Sequence, residues 1–288
     1  MNGFNAFASL FYRQVKRWAS SRSRLISTII QPLLWLVSLG LGFGGVFNPE
    51  NINTSALGIN ATVMPVPVNV TGIVSRYFNM VFGGIDYVTF MVSGMVAMTA
   101  FMGSFIAGIS VIWDKQFGFL KETLVAPAPR SVVIAGRIFG DAFVNTLQSA
   151  IIITLALLFT NNIRITGIPI SLLYVFIMAV GFTGLGTAIS LKFSSMEGFQ
   201  MIVNIITMPL MFMSGVFYPV KSMPTWMQYV AMFNPLTYAV HASRYWLTGA
   251  DVGFDYMNPL VDIVVLSIIS VVLLVVAMRM FERATIED

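Results

Sequence analysis

The chain has 288 residues, 57% hydrophobic and 10% charged, with a mean hydropathy of +0.83 and a formal net charge of +4. That balance excludes a soluble globular domain and indicates a chain that crosses a membrane several times. With no cysteine and His241 as the single histidine, disulfide frameworks, thiolate chemistry and multi-histidine metal centres are excluded as well.

Residues 1–24 are expected to lie along the cytoplasmic membrane surface. Phe4, Phe7, Ala8, Phe11, Val15 and Trp18 recur at helical spacing, with Arg13, Lys16 and Arg17 on the other side. This is the pattern of an amphipathic interfacial helix whose cations meet anionic headgroups. An ordinary solvated flank of the first span fits the same residues. The first span is expected at 25–47, kinked by Pro32. The segment 48–85 is rich in Asn and Pro and holds sequons at Asn53, Asn60 and Asn69, as an external loop would.

The second span is expected at 87–112 and the third at 138–163. The fourth falls at 165–191, where Gly181, Gly184 and Gly186 favour close helix packing. The fifth falls at 199–217, with Pro209 inside it. The external segment 218–258 follows, starting at Tyr218-Pro219, dense in Trp and Tyr and divided by Pro224 and Pro235. Aromatic residues at that density suit a membrane–water boundary. The segment is expected to form a pair of short interfacial or re-entrant helices. Trp226, Tyr229 and Phe233 would anchor one piece, and Asn234-Pro235 would make the turn. The last span is expected at 259–278.

Between the second and third spans, residues 113–137 gather Lys115, Lys121, Arg130 and Arg137 with Asp114 and Glu122. Charges this dense in so apolar a chain belong in water or in a protein interface. Gln116 to Val125 fits a short helix with Phe117, Leu120 and Leu124 on one side. Pro127 and Pro129 end it, and Ser131 is positioned to cap the next helix. A plain connecting loop and a rigid docking helix both fit these residues.

Six spans put both termini on one side. With the termini inside, twelve Lys/Arg face the cytoplasm; four (Arg76, Arg164, Lys221 and Arg244) face out. This asymmetry orients the termini and the 113–137 loop toward the cytoplasm, and it accounts for the net charge without nucleic-acid binding. The expected fold is a single all-α polytopic domain over residues 1–288.

Catalytic signatures are missing. There is no Gly-Lys dipeptide for a phosphate-binding loop, no Asp-rich metal motif and no HExxH. Ser93-Gly94 and Ser214-Gly215 lack the glycine two residues before the serine. Asp86, Asp141 and Asp262 sit near span ends, where they are expected to reach water. Ion-coupled carriers place carboxylates nearer the midplane, so a stand-alone secondary transporter or channel is the weaker alternative.

Three stretches in this order carry a family resemblance: IIQPLLWLVSLGLGFG (Ile29–Gly44), GFLKETLVAPAPRSVVIAGR (Gly118–Arg137) and MSGVFYPVKSMPTWMQYVAMFNPLTYAVHASR (Met213–Arg244). With the amphipathic start, they resemble the membrane subunit of type-2 ATP-binding-cassette exporters, nearest the drug-resistance branch. The resemblance implies a permease, not itself an enzyme, in the plasma membrane. It would export an amphipathic drug, lipid or glycan as a homodimer with two separate ATPase subunits that carry ATP and magnesium.

The resemblance also implies site roles. Gly118 to Arg130 matches the coupling helix that docks on the ATPase. Phe117, Leu120 and Leu124 would form its apolar ridge, Lys121 and Glu122 its charged rim, and Pro127 and Pro129 a stiff link to the third span. Residues 4–18 match the interfacial helix. Pro219 to Arg244 match external helices that close an outer gate. The translocation path would run along the subunit interface, past Met95, Met98 and Phe105 of the second span and Met208 and Phe212 of the fifth. Thioethers and rings suit varied cargo. Packing between helices or against lipid suits the same residues.

Overall fold

The computed structural model describes residues 3–42, 76–78, 80–118 and 129–283. The sequons at Asn53, Asn60 and Asn69 fall outside the described residues, as do Leu120, Lys121, Glu122, Leu124 and Pro127. Among the described residues there is no strand.

Helix α1 (Gly3–Ala19) precedes α2 (Arg22–Trp35). Pro32 sits inside α2 and removes a ladder bond; the helix then widens into a π-helical stretch, Leu36–Leu41. Helix α3 (Tyr87–Ile106) starts where Asp86 accepts from the Thr89 amide at 3.0 Å, a side-chain cap. After a break at Ala107-Gly108 the chain continues as α4 (Ile109–Gln116). It stops at Phe117, with Gly118 in the left-handed region at φ 79°.

Helix α5 (Arg130–Phe159) begins about two turns earlier than the third span was expected to start, so Arg137 is a helical residue, not part of a loop. Pro129 occupies the position before its first residue, where a missing N–H costs nothing, and Ser131 does not cap it. Helices α6 (Ile168–Ser190), α7 (Met196–Phe212), α8 (Thr225–Phe233), α9 (Pro235–Thr248) and α10 (Pro259–Glu282) complete the chain.

Among the described residues, four helical stretches are long and apolar enough to cross a membrane: 76–116, Arg130–Leu158, Ile165–Ser190 and Pro259–Glu282. Ile30–Gly40 and Met196–Phe212 are shorter apolar helices at the positions of the expected first and fifth spans. The core centres on α3, where Phe90, Met91, Phe101 and Phe105 are wholly buried and the Phe101 and Phe182 rings meet edge to face at 4.7 Å. Gly181 lies against Ser270 of α10, and Gly186 against the Phe105 backbone, so α6 packs closely on both neighbours. On the far side of α10, Val264, Ile268, Val271 and Val275 are exposed, as a lipid-facing stripe requires.

The segment after α7 is broken by its prolines and by Asn234. The Asn234 side chain accepts from the Leu236 amide at 3.0 Å and donates to the Leu210 carbonyl at 2.7 Å. Pro235 then takes the first turn of α9. Two short helices result, where a straight continuation of α7 would have needed the amides that Pro219, Pro224 and Pro235 lack.

Candidate functional site

The charged stretch after α3 folds into a junction of three helices. Gly136 and Gly140 lie four apart on α5, and a Cβ at either would meet the backbone of α1, Phe7 or Phe11, within 3.1 Å. Their bareness lets α1 lie directly on α5. Phe7 then packs on Phe139 at 5.9 Å and Phe11 on Phe143 at 5.4 Å. The face of α1 that packs on α5 includes Phe7 and Phe11 of the aromatic row. Ala6 and Gln14 are buried, whereas Phe4 is 78% exposed and Ala8 is exposed too.

At this junction Asp114 of α4 accepts from Arg137 at 2.6 Å and from Arg13 at 3.3 Å. Arg137 also donates to Ser110 Oγ at 2.7 Å. Asp114 and Arg137 are buried, while the Arg13 side chain is 43% exposed. One carboxylate thus ties α1, α4 and α5 together just before residues 119–128. Lys115 and Gln116 reach across to the Leu191 and Ser194 carbonyls at 3.4 and 2.9 Å, bracing α4 on the turn between α6 and α7. Arg130 donates to the Glu282 carbonyl at 3.3 Å, so the far side of the loop is held by the end of α10. Phe117, 64% exposed, stacks obliquely on the half-exposed Trp113 ring at 5.7 Å. Pro129 is exposed as well. The loop is therefore anchored on both sides, with apolar surface offered outward.

A cavity of about 610 Å³ opens between α1, α2, α3, α4 and α5. Met95, Met98 and Met102 line it from α3, Trp35 from α2, and Arg17 and Trp18 from α1. Asp114, Asp141, Asn145 and Gln148 supply polar surface. Lys16 lies over the Tyr12 ring at 5.9 Å, exposed on α1. The residues expected along one path are thus divided. Met95 and Met98 line the cavity, Phe105 is wholly inside the core, and Met208 and Phe212 are 60% and 39% exposed on α7.

At the opposite end of the bundle, Arg244 of α9 is buried. Its guanidinium lies 3.6 Å from the Phe90 ring centroid and donates to the Phe90 and Gly215 carbonyls at 3.1 and 2.9 Å. One turn earlier, His241 Nδ1 meets Asp262 at 2.6 Å and Nε2 meets Asp251 at 3.0 Å. Asp262 is fully buried, which corrects the expectation that it reaches water: its partner is on α9. Helix α9 lies outside the four long apolar stretches. Burial there works against the His241 cation, yet the hydrogen bonds and charges of Asp262 and Asp251 outweigh it and raise the pKa above the ordinary histidine value. Trp226, Tyr229 and Phe233 are 60%, 61% and 84% exposed along α8, while Pro219 is buried in the preceding turn.

Gly136 and Gly140 were passed over in the sequence, although their spacing is one signal of helix contact; the buried partners of Asp114 and His241, Arg137 and Asp262, carried no local signal. Among the described residues no three His, Cys, Asp or Glu side chains group to hold a metal ion.

Comparison with known proteins agrees with this architecture. The profile of ABC-2 type transporters matches residues 5–248. A transport permease named ycf38 from Porphyra purpurea is 30% identical over 234 residues, covering 80% of this chain and 69% of its own. YbhR of Escherichia coli K12, named as a multidrug ABC transporter permease, is 27% identical over 175 residues, 60% of this chain and 46% of its own. The inner membrane transport permease YadH of the same strain is 26% identical over 167 residues, 58% and 65% respectively. The chain belongs to the ABC-2 type transporter family, as an integral membrane component of an ABC transporter that works with an ATPase subunit.

Proposed function

We propose that the chain is the permease of an ATP-driven exporter in the plasma membrane, moving an amphipathic drug, lipid or glycan outward. Two copies would assemble with two copies of a separate ATPase, which bind ATP and magnesium. Six spans, counting α2 and α7, would leave both termini in the cytoplasm. The α8–α9 pair would re-enter from outside, with Asn234-Pro235 at its turn and Trp226, Tyr229 and Phe233 at the boundary. The subunit interface would take the exposed face of α7, where Met201, Ile205, Met208 and Phe212 recur at helical spacing.

The observation that carries this reading is the anchorage of the loop after α4. Motion imposed on residues 117–130 by a partner reaches α1 and α5 through Asp114, and α10 through Arg130. A loop that only connects two spans needs no such bracing. Coupling then requires that the loop contact the ATPase differently in the inward- and outward-open states. Lys121 and Glu122 would set the register of docking, since rim charges orient more than they bind.

The test is Leu120→Asp and Glu122→Ala in a transporter reconstituted with its ATPase. Both variants are expected to insert and fold normally, and to lose ATPase binding or transport-linked hydrolysis. Full binding with coupled transport in both would refute the reading. A stand-alone carrier would transport with no ATPase present.

A further inference from the structure

Residues 249–258 join α9 to α10 and lie across the His241 ring. A Cβ at Gly253 would meet His241 Cδ2 at 2.6 Å and Nε2 at 2.9 Å, so the segment reaches the imidazole only because residue 253 carries no side chain. Asp251 meets the same ring at Nε2, 3.0 Å away, and Asp262 of α10 meets Nδ1 at 2.6 Å. The ring is buried, as are Val252, Phe254 and Met257 of the segment. Of the two carboxylates, Asp262 is fully buried and Asp251 is 62% exposed.

A carboxylate only accepts, and a neutral imidazole has one N–H. Carboxylates on both nitrogens are therefore satisfied together only by the imidazolium. The second oxygen of Asp262 is buried and makes no hydrogen bond, so the Nδ1 contact is the one to be kept when the ring becomes neutral. Nε2 then turns a lone pair toward Asp251, and attraction becomes repulsion. Asp251 can answer by swinging into water; Asp262 cannot.

The other ionisable groups here come from several elements. Arg164 lies against Gly249, and Lys221 pairs with Asp255 at 2.6 Å. Tyr245 of α9 stands 6.4 Å from the His241 ring. Tyr238 of α9 donates to the Met232 carbonyl and Tyr174 of α6 to the Pro259 carbonyl, each at 2.7 Å. Tyr256 stacks on Phe254 within the segment, and Arg244 is turned away onto Phe90. Arginine, lysine and tyrosine ordinarily titrate at about 10 or above and carboxyl groups at about 4. Histidine is the side chain whose charge changes between those limits.

We propose that residues 249–257 form a pH-sensitive latch, closed by Asp251 on the His241 imidazolium and released when the ring loses its proton. Burial opposes the cation, but the hydrogen bonds and charges of Asp262 and Asp251 outweigh it. The latch is thus closed in mild acid and opens as pH rises through a value above the ordinary histidine pKa of about 6.5. It is contained in one copy of the chain and depends on neither cargo nor ATPase.

The test uses the full-length chain in phosphatidylcholine nanodiscs, with a nitroxide on Asp255→Cys as its single cysteine. That side chain is 95% exposed and gives up only an exposed ion pair. Electron paramagnetic resonance then reads the mobility of the segment from about pH 5.5 to about pH 9.5. The mobile fraction should rise reversibly with pH in a one-proton step, most of it within about two pH units. An amide offers its oxygen to the imidazolium and its NH2 to the neutral ring. Asp251→Asn should therefore hold the segment at every pH and abolish the step. His241→Gln, which carries no titrating charge, should abolish it as well. If that variant fails to fold, Asp251→Asn carries the test from its exposed position. The proposal is overturned if the mobile fraction stays constant or falls as pH rises, or if a folded Asp251→Asn chain keeps the full step.

Discussion

At the α1 end, Asp114 is shared between a buried arginine, Arg137, and a half-exposed one, Arg13, beside the 610 Å³ cavity. At the α8–α9 end, Arg244 is enclosed by carbonyls and a ring, and both His241 nitrogens are engaged. The first end is polar and open to a partner or ligand. The second is more enclosed, with Arg244, His241 and Asp262 all buried beneath the exposed aromatic face of α8. Buried polar atoms without a partner occur at both ends, Trp18 Nε1 and Arg137 Nε at the first and Ser243 Oγ, Trp246 Nε1 and Asp262 Oδ1 at the second, so the two differ in exposure and in what they anchor. On the function proposed above, the first end would meet the ATPase and the second would act as the closure.

The largest effect should come from breaking the closed end. Arg244→Met removes the donors to Phe90 and Gly215 and the cation over the Phe90 ring, three ties between α9, α3 and the turn after α7. We expect a loss on the order of 3–5 kcal/mol, read as a large drop in melting temperature by scanning fluorimetry. Arg244→Lys keeps the charge but not the fork, so it should rescue only part of the loss.

Asp114→Asn should come next. It leaves the Arg137 guanidinium buried opposite a neutral amide, at about 3 kcal/mol. Arg13→Ala touches the same carboxylate from a 43% exposed position and should cost only about 0.2–1 kcal/mol. Equal losses in the two variants would mean that Asp114 is not a buried hub. In an assembled transporter, Asp114→Asn should also loosen hydrolysis from transport.

How far these two ends were legible beforehand differs by residue. Pro235 after Asn234 announced a helix start, and the structure has one, because proline chemistry is local. The bracing of the 113–137 stretch was half legible: its charges stood out, but their pairing depends on α1 folding back across 101 residues to bring Arg13 to Asp114. Arg244 was counted as a solvent-facing cation because sequence carries no measure of burial. The link from His241 to Asp262 depends on how α9 and α10 pack, and neither helix signals it alone. Aromatic spacing marked Phe7 and Phe11, but their packing on α5 depends on the bare surface that Gly136 and Gly140 offer.

The smallest effect sharpens the contrast through pH. Folding raises the His241 pKa, so its clamp on Asp262 and Asp251 is fully present below the ordinary histidine pKa of about 6.5. That contribution is lost as pH rises through the raised folded value. The melting difference between wild type and His241→Gln should therefore be greatest in mild acid and shrink toward alkaline pH. The same series on Arg13→Ala should be flat from pH 6 to 8. A His241→Gln difference that grows with pH would contradict the assignment.

The central claim, that the α1 end and not the α8–α9 end meets the ATPase, is tested by crosslinking from matched surface positions. The chain has no native cysteine, and Phe117 and Tyr229 are 64% and 61% exposed, so exposure does not bias the comparison. Phe117→Cys and Tyr229→Cys would each carry a benzophenone in the reconstituted transporter. The account predicts crosslinks to the ATPase from position 117, with a yield that changes between nucleotide-free and ATP-bound conditions, and none from position 229. Crosslinks from position 229 with none from position 117 would contradict it.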